Sequence, residues 1–440
     1  MQSEKPVVIL GAGLAGLTAA TYLRRHGVNV RVFEASKNIA GLSRSELDPD
    51  GFTYDCGAHF INSRLAASLG ISARCVPLPT YEEAVWFRGQ RYTYPMGLLA
   101  SPRYISSAVL GKLRGLTAPP GKNLAEHFRL TVGSAMSDEI ALPLVAAWSG
   151  KQGEELSPAV AEKFSTGLLR TLWLQFAGWA SGKTVSSGYS QEVCESPHVY
   201  FVYPVGGIGA ACEKLADEVR DAIQTESPVQ SIEVEDDRVV GVTAKGEHYA
   251  ASAVISTAPL PILAKLVHGT DCLSKLAEFT YRPMVFVNLK FEGGRAMRDV
   301  VTWTPEDRYP FFRTSDIGRA LPWLVPEGKS LLTCDIGCQV GDNIWNSGED
   351  LLAQRCLEGL DDIVPGLSKR FVGARLVRTP FAYPVYSLQY EALRRKMDFG
   401  TGVPGLWSVG RNGEFKHILM EDVYWRTRKK CCELLSYLNR

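Results

Sequence analysis

The 440-residue sequence has no apolar run that approaches the roughly 20 residues a membrane-spanning helix needs. The apolar stretch at residues 253–267 is broken by Pro259 and Pro261. A signal peptide is the simplest alternative for the apolar N-terminus, but a glycine turn at Gly11 and an acid-ended strand after it argue against one. The sequence therefore predicts no transmembrane segment.

The sequence also lacks an excess of charge of one sign and a metal-binding pattern of cysteines. Its 48 basic and 47 acidic residues give a net charge of +1, whereas nucleic-acid binding normally needs a basic face. Cys334 and Cys338 have neither a second cysteine pair nor histidines nearby, so they are predicted to lie in the core. We predict no nucleic-acid partner, no metal site and a reducing, cytoplasmic location.

The most informative pattern lies in residues 7–34. A short apolar run at residues 7–10, typical of a strand buried on both faces of a parallel sheet, leads into Gly-x-Gly-x-x-Gly at residues 11–16. Residues 17–25 then read as a helix, and a second strand ends on Glu34. A glycine turn without a ligand would not need all of these flanking parts.

Each part of this pattern has a physical role in binding a dinucleotide. Gly11 permits the tight turn, Gly13 lets the backbone approach a pyrophosphate, and Gly16 lets the helix pack on the strand. The helix N-terminus offers unpaired N–H groups and a partial positive charge to the pyrophosphate. Glu34 can accept hydrogen bonds from the ribose hydroxyls. The sequence therefore predicts a dinucleotide site.

A loop of small residues follows Glu34 and is well placed for the far side of a bound dinucleotide. It contains Gly41, Ser43 and one cation, Arg44, which could neutralise a phosphate. A solvated surface arginine remains the alternative for Arg44.

The length predicts two domains, or one domain with a large insertion. Segments of nucleotide-binding character occur at the start, the middle and the end, where buried strands meet glycine turns. We predict nucleotide-domain segments at 1–77, 200–268 and 381–440, a largely helical substrate-domain segment at 78–199, and a sheet segment at 269–380.

Two stretches of the helical segment carry specific expectations. Residues 103–114 form a mildly basic amphipathic helix, which we expect to pack its apolar face on the body of the protein; a membrane-surface helix is the alternative. Residues 171–189 are rich in aromatic, glycine and serine residues, and we predict irregular structure near a pocket.

The spacing of these parts resembles the flavoprotein superfamily of amine oxidases, protoporphyrinogen oxidases and phytoene desaturases, which also includes UDP-galactopyranose mutase. The resemblance runs nearly end to end. It implies an α/β fold: a Rossmann-like FAD-binding domain of the glutathione-reductase type with an inserted α+β substrate domain. It also implies FAD, held without a covalent bond because residues 410–415 contain no cysteine.

The resemblance assigns FAD contacts segment by segment. The Asp-x-Gly-x-His turn at residues 55–59 looks like the family's turn beside the flavin, and residues 203–209 resemble its Pro-x-Gly-Gly element. Val229 corresponds to a backbone contact to the adenine, and residues 420–422 to a helix start that faces the isoalloxazine. The implied cofactor-binding residues are Gly11, Gly13, Leu14, Ala15, Gly16, Glu34, Ala35, Gly41, Leu42, Ser43, Arg44, Gly57, Ala58, His59, Val229, Gly410, Arg411, Met420, Glu421 and Asp422.

Several stretches look most like the mutase and protoporphyrinogen-oxidase-like branch: residues 85–95, 303–313, 383–388 and 410–415. The resemblance places Arg313, Arg411 and Tyr383 where the mutases hold the sugar diphosphate, and a guanidinium can grip phosphate through two hydrogen bonds. It also implies His59 beneath the flavin and Tyr386 facing the substrate. Together these five residues are the candidate catalytic set.

The sequence departs from the mutases at two positions. Ala58 replaces the second glycine of a Gly-Gly-His turn, and His417 stands where a phosphate-binding tyrosine is expected. These departures concern the mutase substrate and leave the FAD prediction unchanged.

Three functions follow from the resemblance. The leading hypothesis is an FAD-dependent oxidoreductase that removes a hydride from a C–H of a small-molecule amine, alcohol or allylic substrate through flavin N5. The second is a redox-neutral isomerase that acts on a sugar nucleotide with reduced FAD. The third is a non-catalytic partner-binding protein of the GDP-dissociation-inhibitor type. The sequence leaves the substrate, the electron acceptor and the oligomeric state open.

Overall fold

The structure is a computed structural model, and it describes residues 5–56, 60–79, 81–94, 96–164, 168–398 and 400–439. Within these ranges, the structure contains no helix with the length and the apolar character that crossing a membrane requires.

A five-stranded, fully parallel sheet carries the N-terminal pattern. Its strands lie in the order Ile223–Gln224, Val30–Phe33, Val7–Leu10, Ala253–Ser256 and Leu406–Ser408. The chain therefore returns to this sheet from three distant parts of the sequence, as the recurring nucleotide-type segments predicted.

The central strand of this sheet is buried on both faces. Val7 and Ile9 belong to one hydrophobic cluster, whereas Val8 and Leu10 belong to another. Because successive side chains of a strand point to opposite faces, an unbroken apolar run is what a strand covered on both sides requires. The N-terminal helix, Leu14–Arg25, packs on the first cluster together with the C-terminal helix, Met420–Leu438.

A seven-stranded mixed sheet forms the other large layer. Its strands lie in the order Phe371–Pro384, Tyr281–Glu292, Lys329–Gly337, Arg313–Asp316, Val301–Trp303, Glu83–Phe87 and Gln90–Thr93. One face of the long strand 281–292 packs on the helix Glu349–Ile363, and the other face joins the cluster that also contains Phe415.

Three smaller sheets complete the described strands. One contains Glu247–Ala250, Arg238–Ala244, Val229–Glu235 and Val267–His268; a second pairs Ser45–Leu47 with Thr53–Asp55; the third contains Ile61–Asn62, Phe201–Pro204 and Cys75–Pro77.

The remaining helices mostly connect the strands of these sheets along the chain. The other α-helices span Ser63–Ser68, Met96–Leu99, Pro102–Gly115, Leu124–Thr131, Ser134–Met136, Leu142–Ser149, Leu168–Ser181, Gly209–Ala216, Leu260–Leu266, Ile317–Ala320, Asn343–Asn346, Glu391–Met397 and Gly410–Gly413, and Ser137–Ala141 forms a π-helical turn.

Two expectations for the helical segment are wrong. Most of residues 171–189 is not irregular, because Leu168–Ser181 is a helix; the leucines and alanines among its aromatic residues are good helix formers. The helix Pro102–Gly115, which we call the basic helix, does not pack its apolar stripe on the protein: only Tyr104 and Gly111 are buried. The domain boundaries stay a prediction.

Candidate active site

The glycine loop has the geometry that its three glycines were predicted to provide. Gly11 has φ +97°, and a Cβ there would come within 2.2 Å of Thr257 Oγ1. A Cβ on Gly16 would lie 1.9 Å from the carbonyl oxygen of Gly11, so this glycine is needed for close packing of helix on strand. Among the described residues, the nearest atoms to a Cβ on Gly13 would be the Ala40 carbonyl oxygen and the Gly41 Cα, both at 4.0 Å. The loop is therefore open at Gly13, the glycine predicted to face a pyrophosphate.

The N-terminal helix begins directly at this opening. Gly13 is its N-cap residue, no side chain caps it, and its first turn contains no acidic residue. Leu14 and Ala15 in that turn are buried, at 6% and 7% exposure. The unpaired N–H groups and partial positive charge of this helix end therefore remain available for an anionic group.

Glu34 closes the loop from the second strand. Its Oε2 accepts a hydrogen bond from the Ala12 backbone N–H at 2.7 Å, and its Oε1 accepts from Ser36. Ala35 is exposed beside it. The carboxylate is thus already oriented by the loop, and its remaining lone pairs can accept from a ribose.

The segment before Val229 runs alongside Glu34. The Ser227 backbone N–H donates to the Glu34 carbonyl at 2.8 Å, and the strand Val229–Glu235 starts two residues later. The structure therefore brings Val229 towards the same end of the parallel sheet as the glycine loop.

The small-residue loop also lies against the glycine turn. Gly41, Leu42 and Ser43 form a 3₁₀ turn, and a Cβ on Gly41 would be 3.5 Å from the Gly13 Cα. Arg44 pairs with Glu46 at 3.1 Å, and both side chains are about one-third exposed. Exposed pairs of this kind contribute little stability, so Arg44 is not locked to its partner.

The last predicted FAD turn meets the first one in space. Gly410 has φ +86°, and a Cβ there would come within 2.8 Å of Ala15 Cβ. Almost four hundred residues separate the two turns in the chain. Their contact makes Gly410 and Arg411 neighbours of the start of the N-terminal helix.

A buried network joins the Asp-x-Gly turn to the Pro-x-Gly-Gly element. Asp55 accepts hydrogen bonds from Ser45 Oγ at 2.6 Å and from the Tyr203 hydroxyl, which in turn accepts from the Ile208 backbone N–H. Burial raises the pKa of Asp55 to about 6, although the hydroxyl hydrogen bonds oppose this shift. Gly57, Ala58 and His59, which follow Asp55 in the motif, lie outside the residues that the structure describes.

The start of the C-terminal helix has its side chains committed to protein partners. Glu421 is fully buried and pairs with Arg64 at 2.7 Å, while Asn62 donates to its other oxygen. Asp422 accepts from Ser190 Oγ at 2.6 Å and from the adjacent backbone N–H groups. The predicted contact of these residues with an isoalloxazine can therefore involve only their backbone, and Met420 precedes them as the first residue of the helix.

Two arginines and two tyrosines of the predicted catalytic set come together in the structure. The Arg411 guanidinium lies 4.7 Å from the centroid of the Tyr383 ring. Tyr383 also lies close enough to Arg313 to raise the pKa of that arginine. The Tyr386 hydroxyl accepts from the backbone N–H of His417 at 2.9 Å, and the His417 and Tyr386 rings are 4.6 Å apart.

The two arginines differ in their partners. Arg313 pairs directly with the fully buried Asp335, to which it is opposite in the antiparallel register. Burial lowers the pKa of Arg313, but the charge and hydrogen bond of Asp335, together with the nearby hydroxyls of Tyr383 and Tyr81, raise it overall. Arg411 is half-buried with its Nε shielded from solvent, and burial lowers its pKa, with no carboxylate among the described residues to offset the cost. Its Nε likewise has no hydrogen-bond partner within that part of the chain.

Several residues of this site were not singled out from the sequence. Glu83 accepts hydrogen bonds from Tyr81 and Trp303 and faces the charge of Arg313, and burial raises its pKa above the ordinary value. Asp335 was detectable in principle, because it is a lone acid inside the apolar strand Lys329–Gly337.

The histidine that departs from the mutase pattern lies inside this site. The His417 ring is 5.1 Å from Trp148 and 6.4 Å from Tyr383. It therefore shares the aromatic wall of the site with the predicted substrate-facing tyrosines.

Comparisons with known proteins identify the family of this chain. The family described as flavin containing amine oxidoreductase matches residues 14–433. Amine oxidase [flavin-containing] B of Sus scrofa is 24% identical over 288 residues, which cover 61% of this chain and 52% of that protein. Protoporphyrinogen oxidase 2, chloroplastic/mitochondrial, of Arabidopsis thaliana is 23% identical over 466 aligned positions, which cover 93% of this chain and 90% of that protein.

Similarity to solved structures extends over nearly the whole chain. The crystal structure of a reduced UDP-galactopyranose mutase superposes with a TM-score of 0.81 at 20% identity, covering 99% of this chain and 94% of the mutase. At this identity the similarity shows the fold alone. The chain matches only about half the length of the animal amine oxidases.

The chain belongs to the flavin-containing amine oxidoreductase family, as the sequence resemblance predicted. The fold is an α/β FAD-binding fold of the kind found in amine-oxidase-type flavoproteins. The family implies a flavin cofactor.

Proposed function

We propose that this member of the family is an FAD-dependent oxidoreductase that removes a hydride from a C–H of a small molecule bearing an anionic group. The observation that carries the proposal is Arg411, a half-buried guanidinium whose Nε is shielded from solvent, which has no carboxylate partner among the described residues and lies beside Tyr383. A buried charge is costly unless it is paired, so such a site favours a ligand that brings the opposite charge.

The parallel sheet and its glycine loop would hold the cofactor as a Rossmann-like FAD-binding domain, with the seven-stranded sheet belonging to an inserted substrate domain. Three observations support this fit: the open face at Gly13, the uncapped start of the N-terminal helix, and the contact of Gly410 with Ala15. Gly13 and Gly41 to Ser43 would surround the pyrophosphate, Glu34 the adenosine ribose, Val229 the adenine, and Gly410 the flavin end. We propose that the binding is non-covalent.

When bound, FAD supplies a hydride acceptor at its N5 and passes the electrons on to a second acceptor. The residues of this chain would bind, orient and shield the substrate. Arg411 would hold the anionic group, and Tyr383 would add a hydrogen bond and a ring face. Arg313 is already neutralised by Asp335, so we assign it to shaping the site and to long-range attraction rather than to the principal grip. His59 remains the candidate beneath the flavin.

The aromatic wall would keep water away from the reacting atoms. Trp148, Tyr386 and His417 pack ring against ring at centroid distances of 4.6 to 5.1 Å. Excluding water strengthens the attraction between Arg411 and an anionic group and protects a transferred hydride from side reactions.

A second candidate function is a redox-neutral isomerisation of a sugar nucleotide that requires the reduced cofactor. The proximity of Arg313, Arg411 and Tyr383 favours it, because a sugar diphosphate offers two phosphates to such a cluster. His417 in place of the expected tyrosine counts against it. Either function uses the same anion site, so one series of measurements can separate them.

The first experiment is a visible spectrum of the purified protein, followed by acid precipitation. We expect flavin absorption bands, and we expect the flavin to remain in the supernatant after precipitation because no covalent bond retains it. A colourless protein that also fails to take up added FAD would overturn both enzyme functions and favour partner binding without catalysis.

The second experiment reduces the protein anaerobically with dithionite or NAD(P)H and then readmits air. Prompt return of the bands would support an oxygen-using oxidase, and slow return a dehydrogenase or the isomerase. Conversion of UDP-galactose only by the reduced protein would decide for the isomerase.

The role of Arg411 is tested by Arg411→Met, with Arg308→Met as the matched control. Arg308 also lies over a tyrosine ring, at 4.6 Å, but it is about half exposed and paired with Asp362. We expect UDP or another organic phosphate to perturb the flavin spectrum of the native protein and of the control. Arg411→Met should lose that perturbation, and its retention in Arg411→Met would exclude Arg411 as the anion site.

A further inference from the structure

The basic helix, Pro102–Gly115, carries an apolar stripe that faces away from the protein. Ile105, Val109, Leu113 and Leu116 recur at intervals of three or four residues and are 46%, 52%, 57% and 81% exposed. Leu110 beside them is 55% exposed. An amphipathic helix normally buries such a stripe against the core, so this face is available to another partner.

The orientation of the basic helix is determined by close contacts on its opposite side. A Cβ on Gly111 would come within 2.6 Å of the Arg129 carbonyl oxygen, and a Cβ on Gly133 would come within 2.3 Å of the Ser107 backbone. Tyr104 on the same side is buried. Because the backbones meet at these glycines, the helix cannot rotate to bring its apolar stripe inward.

The chain segment that carries the stripe contains basic residues but no acidic ones. About one residue in nine of the chain is acidic (47 of 440), yet residues 84–125 contain no aspartate or glutamate. Lys112, Arg114 and Lys122 are exposed, and no described carboxylate lies within ion-pair distance of any of them. The other cation of the helix, Arg103, pairs with Glu139. The stripe is therefore flanked by unneutralised positive charge.

The helix Leu168–Ser181, which we call the aromatic helix, has the same character. Trp173, Phe176 and Trp179 are 58%, 57% and 80% exposed, and their rings follow one another at centroid distances of 6.2 and 5.9 Å. Residues 163–191 also contain no acidic residue. Tryptophan is the side chain most typical of the boundary between lipid and water.

We propose that the basic helix and the aromatic helix dock this protein on the surface of an anionic lipid bilayer. Exposed apolar side chains flanked by cations suit the lipid headgroup region, where the chains insert shallowly and the cations meet acidic headgroups. A second copy of the chain is less suited to the basic helix, because a symmetric contact would bring together two surfaces that carry the same positive charge. The proposal is independent of the flavin chemistry.

The test measures binding of the flavin-loaded protein to vesicles by flotation. We compare phosphatidylcholine vesicles with vesicles that contain 30% phosphatidylglycerol, at low and at high salt. Each cation near an anionic surface strengthens binding about fivefold, so three exposed cations predict a preference for the anionic vesicles on the order of a hundredfold. That preference falls at high salt, which screens the headgroups.

Two double variants separate charge from apolar insertion. Lys112→Gln with Arg114→Gln is expected to weaken binding to anionic vesicles about 25-fold, with little effect on neutral ones. Leu113→Gln with Leu116→Gln is expected to weaken binding more than tenfold on both. The matched control is Val340→Gln, because Val340 is 59% exposed but lies outside both helices; we expect it to bind as the native protein does.

Three outcomes would overturn the proposal. The first is a native protein that floats with neither vesicle, and the second is a control that loses as much binding as the helix variants. Light scattering could instead show a dimer that the leucine variant alone converts to a monomer, together with no vesicle binding, which would assign the surface to a second copy. The flavin spectrum of every variant reports whether the protein is folded.

Discussion

Alanine substitutions at two glycines of the glycine loop are expected to separate FAD binding from folding: one should affect mainly binding and the other mainly stability. Gly13 and Gly16 would both acquire a Cβ on substitution by alanine, but the new atom meets different surroundings. At Gly16 it would lie 1.9 Å from the Gly11 carbonyl oxygen, whereas at Gly13 it would have at least 4.0 Å of space. Gly13 has φ −78° and ψ −177°, an extended conformation that any residue adopts.

The expected magnitudes follow from these distances. Gly13→Ala should change the free energy of unfolding of the flavin-free protein by no more than about 0.5 kcal/mol, because lower entropy of the unfolded chain offsets a poorer N-cap. It should weaken FAD binding at least a hundredfold, about 2.7 kcal/mol, because the methyl group occupies the space of the pyrophosphate. Gly16→Ala forces two backbones apart and should cost about 3 kcal/mol of stability.

The assay pairs urea unfolding of the flavin-free proteins with a fluorescence titration of FAD. The reasoning would be refuted if Gly13→Ala bound FAD within about threefold of the native affinity, since the open face would then not be the pyrophosphate site. It would equally be refuted if Gly16→Ala unfolded at the native urea concentration.

Three further predictions concern buried charges. The pKa of Asp55 is about 6 in the folded protein and 3.8 in its ordinary state, so the folded protein holds this proton more tightly and the stability it contributes is lost as the pH rises. Between pH 4.5 and 7.5, the free energy of unfolding of the native protein should therefore fall by about 2 kcal/mol relative to that of Asp55→Asn, as measured by urea unfolding. Arg64→Met leaves the fully buried Glu421 unpaired and should cost about 3 kcal/mol by urea unfolding, whereas adding Glu421→Gln should recover part of it; equal costs for single and double variants would contradict the pairing. Arg411→Lys should retain part of the affinity for an organic phosphate that Arg411→Met loses, because an ammonium keeps the charge but not the two-pronged geometry.

The sequence predicts an element of the structure where the residues that form it are adjacent in the chain. The strand, glycine turn and helix of residues 7–25 were all predicted, because a buried strand, a tight turn and a helix each have a short-range signature. The two hairpins at residues 83–93 and 229–244 carry the same kind of short-range signal, a turn between two alternating runs.

The ion-pair partners of charged side chains could not be predicted from local sequence patterns. Residues 420–422 were predicted as a helix start that faces the isoalloxazine, but no pattern indicated that the Glu421 carboxylate pairs with Arg64, which is 357 residues away in the chain. Asp335 neutralises Arg313, so that of the two site arginines it is Arg411 that has no described carboxylate partner. No spacing rule distinguishes these two arginines, because the difference arises from which strand lies next to each.

The sequence by itself determined that the chain carries a dinucleotide fingerprint and belongs among the flavoproteins, because those signals are short and continuous. Only the tertiary structure decided that Gly410 meets Ala15, that Arg313 is paired, and which side of the basic helix is buried. An amphipathic pattern states that a helix has an apolar face, but close backbone packing at Gly111 turned that face outward. Long-range packing chooses among faces and partners that local sequence leaves equivalent.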